Sequence, residues 1–336
     1  MKKRILACIF VVALLLLSLT VGCTPKEGKQ NSLTTVKLCE VTHSIFYAPQ
    51  YVAIAQGFFE EQNIKIELSN GGGADKVMSA VISNSVDIGL AGPEASVYVY
   101  NSGSEDHPEV FAQLTACDGS FLVGRSPNPD FKWSDLKGAH ILPGRTGGMP
   151  YMAFRYALEK NGINPDKDAK MDNTIQFDMM TGAFLGGTGD YVTMFEPVAS
   201  SVQLEGKGYI VASVGAAAGE MPYTAYFAKK SYIANNSDLI QRFTNAIVKG
   251  QQWVETHTSA EIANCVQSFF ADTDVSLLTS AVESYKKIGA FATTPVMTEE
   301  AFNRLQEVIQ KAGELDKPAP FDKLINNTFA EKATAK

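Results

Sequence analysis

The chain has 336 residues, and its 36 Asp and Glu outnumber 29 Lys and Arg to give a formal net charge of −7. An acidic chain is a poor candidate for nucleic-acid binding, because neutralising phosphates needs a basic face. The five cysteines include no C-x-x-C pair, which disfavours a zinc site and a disulfide framework. A chain of this length is long for one hydrophobic core and predicts two lobes.

The amino-terminal segment has the layout of a secretory signal peptide over residues 1–22. Basic residues at positions 2–4 precede an apolar run from Ile5 to Leu19, and small residues precede Cys23. The sequence TVGC resembles a bacterial lipobox. We therefore expect lipidation of Cys23, a polar tether over residues 23–34, and a body on the extracytoplasmic face of the cell membrane. An uncleaved anchor is the alternative, because the apolar run is nearly long enough to span a bilayer.

Strands and helices are predicted to alternate from residue 35 onward. Alternating apolar and polar residues mark the strand TVKLCEV, and apolar residues at helical spacing follow in YAPQYVAIAQGFFEEQN. The pattern continues through strand IKIEL, helix GGGADKVMSAVISNS, strand VDIGLAG, helix PEASVYVYNSG, and strands EVFAQLT and GSFLVG. This alternation is typical of a parallel α/β sheet covered by helices.

The alternation restarts in the second half, with a strand at HILPG, a helix after GRTGGMPYM and strands at TIQF and DYVTMFEP. When Asp87 is aligned with Asp190, SAVISNSVDIGLAGPEAS and GAFLGGTGDYVTMFEPVAS share a helix, a turn, a strand and a Pro–Glu pair. We therefore predict two similar lobes: lobe I over 35–122 plus 226–336, and lobe II over 123–225. The mostly helical carboxy-terminal block is assigned to lobe I, whose sheet would otherwise be under-covered.

Loops that leave the carboxyl ends of strands are the expected ligand-binding positions in open α/β sheets. The loop GRTGGMPYM places two glycines directly before a helix, whose first backbone N–H groups can bind a ligand. A tight turn packed against a neighbouring strand is the alternative role of these glycines. The candidate ligand-binding residues of this loop are Arg145, Thr146, Gly147, Gly148 and Met149.

Two carboxylates occupy matching corners of the two lobes, Glu94 in AGPEAS and Glu196 in MFEPVAS. Each could accept hydrogen bonds from a ligand, with Gly92 beside the first of them. Each could instead cap its own helix. If both faced one cleft, they would favour N–H donors or a cationic ring over an anion, unless Arg145 offset their charge.

Five further residues are candidates with structural alternatives. In THSIFYAP, Phe46 and Tyr47 could stack on a planar ligand beside His43, although a lone loop histidine is usually just solvated. Asp118 lies where the chain leaves the first lobe, and a turn is its alternative role. Tyr223 lies at the return crossing, where core packing is the alternative.

The sequence contains no P-loop, no H-E-x-x-H, no G-x-S-x-G and no G-x-G-x-x-G motif. A metal site from Cys39, Glu40 and His43 is disfavoured, because successive residues of a strand point to opposite faces. We therefore expect neither enzymatic activity nor a metal or other cofactor.

The segments THSIFYAPQYVAIAQGFFEEQNI and GGGADKVMSAVISNSVDIGLAGPEAS resemble substrate-binding proteins of ABC importers. The resemblance is to the group related to sulfonate-, nitrate- and thiamine-pyrimidine-binding proteins, in which a W-E-P corner resembles FEP at 195–197. It implies an α/β, two-lobed periplasmic-binding-protein fold of type II, with a ligand cleft between lobes that close about a hinge. It also implies a monomer that delivers its ligand to a membrane permease driven by a cytoplasmic ATPase.

The resemblance leaves two classes of ligand. Arg145, Thr146 and the glycines would suit the oxyanions of the sulfonate and nitrate branches, whereas the aromatic residues and the two carboxylates would suit the pyrimidine branch. Two carboxylates against one arginine favour a heterocycle with N–H donors. A sensory binding protein and a pyrimidine-synthase-like enzyme are the alternative functions, although Cys117 alone does not reproduce the cysteine-rich motif of those enzymes.

Overall fold

The computed structural model describes residues 33–335. The predicted signal peptide, the lipidation site Cys23 and the tether up to residue 32 lie outside this range. No helix between residues 33 and 335 is both long and apolar enough to cross a membrane.

Strands and helices alternate along most of the described chain. The strands are β1 (Thr34–Glu40), β2 (Ile64–Asn70), β3 (Ile88–Ala91), β4 (Pro108–Thr115), β5 (Ser120–Gly124), β6 (His140–Leu142), β7 (Lys170–Met171), β8 (Tyr191–Phe195), β9 (Tyr209–Ser213) and β10 (Thr224–Lys229). The helices are α1 (Ala48–Ala55), α2 (Ala74–Ile82), α3 (Glu94–Asn101), α4 (Met149–Lys160), α5 (Met180–Leu185), α6 (Val198–Leu204), α7 (Val214–Ala218), α8 (Lys230–Asn235), α9 (Ser237–Thr256), α10 (Ser259–Val266), α11 (Val275–Lys287), α12 (Glu299–Lys311), α13 (Phe321–Leu324) and α14 (Thr328–Thr334). Short 3-10 turns lie at Ile45–Tyr47, Glu60–Gln62, Trp133–Leu136, Phe177–Met179 and Gln267–Phe270.

The strands form two five-stranded sheets with the same topology. The first has the order β2-β1-β3-β10-β4 and the second the order β7-β6-β8-β5-β9. In each sheet one strand runs antiparallel to both neighbours, and each of these two strands, β10 and β5, adjoins a crossing between the sheets. The predicted α/β fold with two parallel-rich lobes is therefore confirmed.

The aspartates aligned in the sequence occupy equivalent positions in the two lobes. Oδ2 of Asp87 accepts the backbone N–H of Lys37 at 2.8 Å, and Oδ2 of Asp190 accepts that of His140 at 2.8 Å. Each aspartate precedes a parallel strand, β3 or β8, and joins it to the neighbouring strand β1 or β6. The internal repeat in the sequence is therefore a repeat in the structure.

The chain crosses between the sheets a few residues earlier than predicted. It leaves the first sheet after Thr115 and enters the second at Ser120, and it returns between Ser213 and Thr224. The predicted boundaries at 122 and 225 therefore fall inside β5 and β10. The strand GSFLVG, predicted to follow EVFAQLT in the first lobe, is β5, which pairs with β8 and β9 in the second sheet.

The carboxy-terminal helices pack on lobe I and also contact lobe II. Helix α9 lies on α1, where a Cβ atom at Gly250 would collide with the carbonyl oxygen of Pro49. Helix α12 contacts α4, and α11 contacts α6, so this block bridges both lobes.

One predicted strand, TIQF at 174–177, is wrong. The segment is irregular and ends in the 3-10 turn Phe177–Met179. Oδ1 of Asp172 accepts the backbone N–H of Thr174 at 3.1 Å and its hydroxyl at 2.6 Å. Such a local turn offers the backbone an alternative to strand pairing.

Candidate functional site

A cavity of about 50 Å³ lies between the two lobes, at the carboxyl ends of the parallel strands. Lobe I contributes residues that follow β1, β2 and β3, and lobe II contributes residues around the ends of β6 and β8. The cavity is lined by Val41, Thr42, Tyr47, Gly73, Ala74, Gly92, Glu94, Gly144, Arg145, Gly148, Met149, Pro150, Phe177, Phe195, Tyr223 and Thr224. We call it the inner chamber. Its position is the one expected for ligands of open α/β sheets.

The structure brings most of the predicted site residues together. Seven of them line the inner chamber: Tyr47, Gly92, Glu94, Arg145, Gly148, Met149 and Tyr223. Two line a neighbouring space described below: His43 and Glu196. Four line neither space: Phe46, Asp118, Thr146 and Gly147.

Glu94 is the carboxylate of the inner chamber. It begins α3 and is 2% exposed, and its Oε2 atom has no hydrogen-bond partner within residues 33–335. Burial raises the pKa of its carboxyl to about 8, although its own backbone N–H, the positive charge of Arg145 and the backbone N–H of Met149 act in the opposite direction. A buried carboxylate with so few donors is costly. The chamber therefore favours either a protonated carboxyl or a ligand that donates to Glu94.

The glycine loop delivers the amino terminus of α4 to the chamber. The helix begins after Gly148, and Pro150 occupies its first turn, where a missing backbone N–H leaves no hydrogen bond unmade. Gly147 has a φ of 76°, a conformation that glycine adopts without strain. Thr146 points away from the chamber: it is exposed, and its hydroxyl accepts a hydrogen bond from Asn173 at 2.6 Å. The close approach that the glycines permit is therefore made at Gly148 and not along the whole loop.

Arg145 is paired across the cleft. Its Nη2 atom lies 2.9 Å from Oδ1 of Asp75 on α2, and the adjacent Lys76 lies 3.0 Å from Oδ2 of Asp178. Two adjacent residues of lobe I, one acidic and one basic, therefore each form an ion pair with lobe II. Because its charge is already paired, an anionic ligand would have to compete with Asp75 for Arg145.

A wider space of about 340 Å³ adjoins the inner chamber and shares Thr42, Phe177 and Phe195 with it. We call it the outer chamber. Polar groups from both lobes line it, including Asn70 and Asp178. The two phenylalanine side chains therefore lie where the two chambers meet.

Glu196 lines the outer chamber but its carboxylate is already satisfied. Oε2 accepts the backbone N–H of Ser200 at 3.0 Å, and Oε1 accepts the Ser200 hydroxyl at 2.6 Å. The carboxylate therefore caps the start of α6. The backbone of Glu196 joins the lobes, because its carbonyl accepts the Ser44 hydroxyl at 2.5 Å and its N–H donates to Tyr285 at 2.9 Å. The geometry supports the capping role of Glu196.

His43 ties the first loop to the carboxy-terminal block. Nδ1 lies 3.1 Å from Oε1 of Glu40, and Nε2 lies 2.7 Å from the carbonyl oxygen of Phe269. The hydrogen bond to Glu40 raises the pKa of His43, and burial raises the pKa of Glu40. Gln50 and Tyr51 also donate to Glu40. Both ring nitrogens of His43 thus have protein partners, and the ring serves to anchor its loop.

Phe46 and Asp118 have structural roles beside the site. Phe46 is fully buried between the lobes, with ring centroids 5.6 Å from Phe195 and 5.1 Å from Tyr285. Asp118, a predicted ligand-binding residue, accepts the backbone N–H of Ser120 at 2.6 Å, which matches its alternative role as a turn residue at the crossing. Burial raises the pKa of Asp118 to about 6.

The sequence reading missed Thr42, Phe177 and Phe195 as chamber residues. Phe195 lies in the FEP corner and was named only for its resemblance to a tryptophan. Phe177 lies in TIQF, which is irregular and not the predicted strand. Its loop follows β7, which has the same place in the second sheet as β2 has in the first.

Comparison with known proteins places the chain among binding proteins. Residues 31–267 match the NMT1-like family. The chain belongs to this family. A relative from Bacillus subtilis (strain 168), YtlA, whose name designates a proposed binding protein, is 44% identical over 307 residues, 91% of this chain and 92% of the relative.

Solved structures similar to this NMT1-like chain share its fold at low sequence identity. The ligand-binding component of an ABC-type import system from Staphylococcus aureus has a TM-score of 0.72 and 13% identity, covering 90% of this chain and 100% of its own. A Candida albicans protein with the generic periplasmic binding protein fold, CA3427, has a TM-score of 0.65 and 16% identity, covering 88% and 97%. The predicted periplasmic-binding-protein fold is thereby confirmed.

The same fold also occurs in an enzyme. The desulfurization enzyme DSZB has a TM-score of 0.62 and 14% identity, covering 90% of this chain and 99% of its own. Fold similarity alone therefore does not separate binding from catalysis, and the function has to be argued from the site.

Proposed function

We propose that this NMT1-like protein is the solute-binding component of an ABC importer. In this proposal a lipid on Cys23 holds it as a monomer on the extracytoplasmic face of the cell membrane. It captures a small heterocycle with N–H donors between its lobes and delivers it to a permease driven by a cytoplasmic ATPase.

One observation carries the binding role. The carboxyl ends of two equivalent sheets face one chamber, and Glu94 presents to it a buried carboxylate whose Oε2 has no partner within residues 33–335. Buried polar groups are normally hydrogen-bonded, so an orphaned acceptor in a cleft is a reason to expect a donor from a ligand. The aromatic side chains of Tyr47, Phe195 and Tyr223 around it suit a flat ring.

The sulfonate-like and nitrate-like alternative is weaker in this geometry. Its main positive group would be Arg145, which is paired with Asp75. An oxyanion in the inner chamber would also lie beside Glu94. It would share Arg145 with Asp75 and lie close to the Glu94 carboxyl, whereas a ligand with N–H donors can donate to Glu94.

The enzymatic alternative would need a reactive group near the chamber. The thiol of Cys117, close to the crossing, is 3% exposed and donates to the carbonyl of Ile288 at 3.6 Å. Burial raises its pKa to about 12, so little thiolate forms at neutral pH. These features favour a buried structural thiol.

A thermal-shift screen of the chain without residues 1–22 tests the proposal. The panel contains pyrimidines, flavin precursors, amino acids, sulfonates, nitrate and bicarbonate. A solute at about 100 times its dissociation constant should raise the free energy of unfolding by about 2.7 kcal/mol. A heterocycle that shifts the melting temperature and is recovered chemically unchanged supports binding. Conversion of the solute would support the enzyme, and a panel without any stabilising solute would contradict the binding role.

A further inference from the structure

The two lobes treat equivalent glutamates differently. Glu94 and Glu196 both follow a parallel strand at the repeated Pro–Glu corner, and both are buried. Ser200, four residues after Glu196, donates its hydroxyl to that carboxylate. The residue four positions after Glu94 is Tyr98, whose hydroxyl instead lies 3.6 Å from Sδ of Met152. The sequence thus supplies a capping partner in lobe II and leaves Oε2 of Glu94 without one.

The surroundings of Glu94 supply little compensating charge. The ionisable groups that face it are Arg145 from the loop before α4, Tyr47 from the turn after β1, Tyr223 from the return crossing and Tyr98 from its own helix. Burial raises the pKa of all three phenols, so they stay uncharged at neutral pH. Arg145 is the one cation in this group, and it is bound by Asp75.

We propose that the ligand is an organic cation that exchanges for a proton on Glu94. This proposal rests on the proposed solute-binding function and narrows its ligand class. Before binding, the Glu94 carboxyl is protonated. On binding, its O–H bond breaks, the proton passes to solvent, and the carboxylate accepts an N–H bond from the cation. The chamber then holds an ion pair in place of a neutral acid.

The shape of the cleft assigns parts of the ligand to the two chambers. The inner chamber, about 50 Å³, has room for a compact charged nitrogen group beside Glu94. The outer chamber, about 340 Å³, has room for the remainder of the molecule. Tyr47, Phe195 and Tyr223 also line the inner chamber, and a cation placed over the face of an aromatic ring gains a favourable electrostatic interaction. A cationic head on a larger polar body fits this division.

Three probes of matched shape and different charge test the ligand class: benzamidinium, benzamide and benzoate. Each is titrated calorimetrically into the full-length chain in detergent, in phosphate and in Tris buffer, so that proton release can be counted. At pH 7, benzamidinium should bind and release close to one proton, and its affinity should rise from pH 6 to pH 8. Glu94→Gln should lose at least about tenfold in affinity, the loss of a charge-assisted hydrogen bond, and release no proton.

Glu40→Gln is the matched comparison, because that carboxylate is equally buried, lines neither chamber, and already accepts hydrogen bonds from Gln50 and Tyr51. It should lower the melting temperature while the preference for benzamidinium over benzoate persists. Benzoate binding in preference to benzamidinium, equal affinity in Glu94→Gln, binding without proton release, or failure of benzamidinium to bind would each overturn the proposal. If an anion from the thermal-shift panel stabilised the protein, the solute-binding role would still be supported while the organic-cation ligand would be contradicted. The two proposals can therefore be tested independently.

Discussion

At the scale of single residues, two buried glutamates at equivalent corners of the two lobes differ in their hydrogen-bond partners. Glu94 and Glu196 occur in similar sequence contexts, each in a Pro–Glu pair after a predicted strand. From the sequence, each could bind a ligand or cap a helix. The structure separates them through Ser200, which satisfies Glu196, and Tyr98, which does not satisfy Glu94. Such partners are set by side-chain directions within a helix turn, which composition and spacing do not specify.

The partner of His43 is likewise not evident from the sequence, and its pairing with Glu40 predicts how the stability of the fold depends on pH. Its hydrogen bond to Glu40 raises the pKa of the ring in the folded protein above its ordinary value. A group of this kind stabilises the fold fully below its unfolded pKa, near 6.5, and the contribution is lost as pH rises through the folded pKa. His43→Ala should therefore lower the free energy of unfolding more at pH 6 than at pH 9.

Urea denaturation of the wild type and His43→Ala at both pH values measures this difference. The same loss at pH 6 and pH 9 would show that the protonated ring makes no special contribution. A larger loss at pH 9 would reverse the sign and contradict the assigned pairing of His43 with Glu40.

At the scale of elements, local periodicity predicted most strands and helices, and the Asp87–Asp190 repeat predicted two similar lobes. Local periodicity could not predict that β5 joins the second sheet and that β10 returns to the first. Strand pairing between residues far apart in the sequence does not affect the local pattern of apolar residues. Local periodicity also predicted a strand at TIQF, which is wrong. The turn at Asp172 depends on two specific hydrogen bonds to Thr174, and the apolar pattern does not show them.

Helix α6 offers a test of the capping role of Glu196. Ser200→Ala removes the hydroxyl that Oε1 accepts at 2.6 Å and leaves a buried carboxylate oxygen without that donor. The free energy of unfolding should fall by about 1–3 kcal/mol, the usual cost of an unsatisfied buried polar group. Ligand affinity should stay unchanged, because Ser200 lines neither chamber.

Ser201→Ala is the control for this helix, since the Ser201 side chain makes no hydrogen bond within the described chain and alanine suits a helix. Denaturant melts of both variants should show a loss for Ser200→Ala alone. Reduced ligand affinity in Ser200→Ala, with little change in stability, would instead return Glu196 to the binding site.

At the scale of the whole molecule, the sequence predicted the two-lobed fold and the position of the cleft, because strand-end loops must meet at one edge of each sheet. It did not predict how the lobes are joined. Two ion pairs, from Arg145 to Asp75 and from Lys76 to Asp178, cross the cleft beside contacts of Ser44 with the Glu196 backbone. These groups come from distant parts of the chain, so their pairing follows only from the assembled fold.

The most direct test of binding between the lobes is a calorimetric titration with the most stabilising solute from the thermal-shift panel. Wild type is compared with Gly148→Val and Gly182→Val. Gly148 lines the inner chamber with a φ of −94°, which other residues also adopt. A Cβ atom there would lie 3.3 Å from the carbonyl oxygen of Arg145, so valine would crowd the glycine loop where it lines the chamber. Gly182, in the same lobe, has open space around it. The account predicts that Gly148→Val loses most of the solute affinity while Gly182→Val retains it. Equal affinity in all three proteins would place the ligand elsewhere and contradict the account.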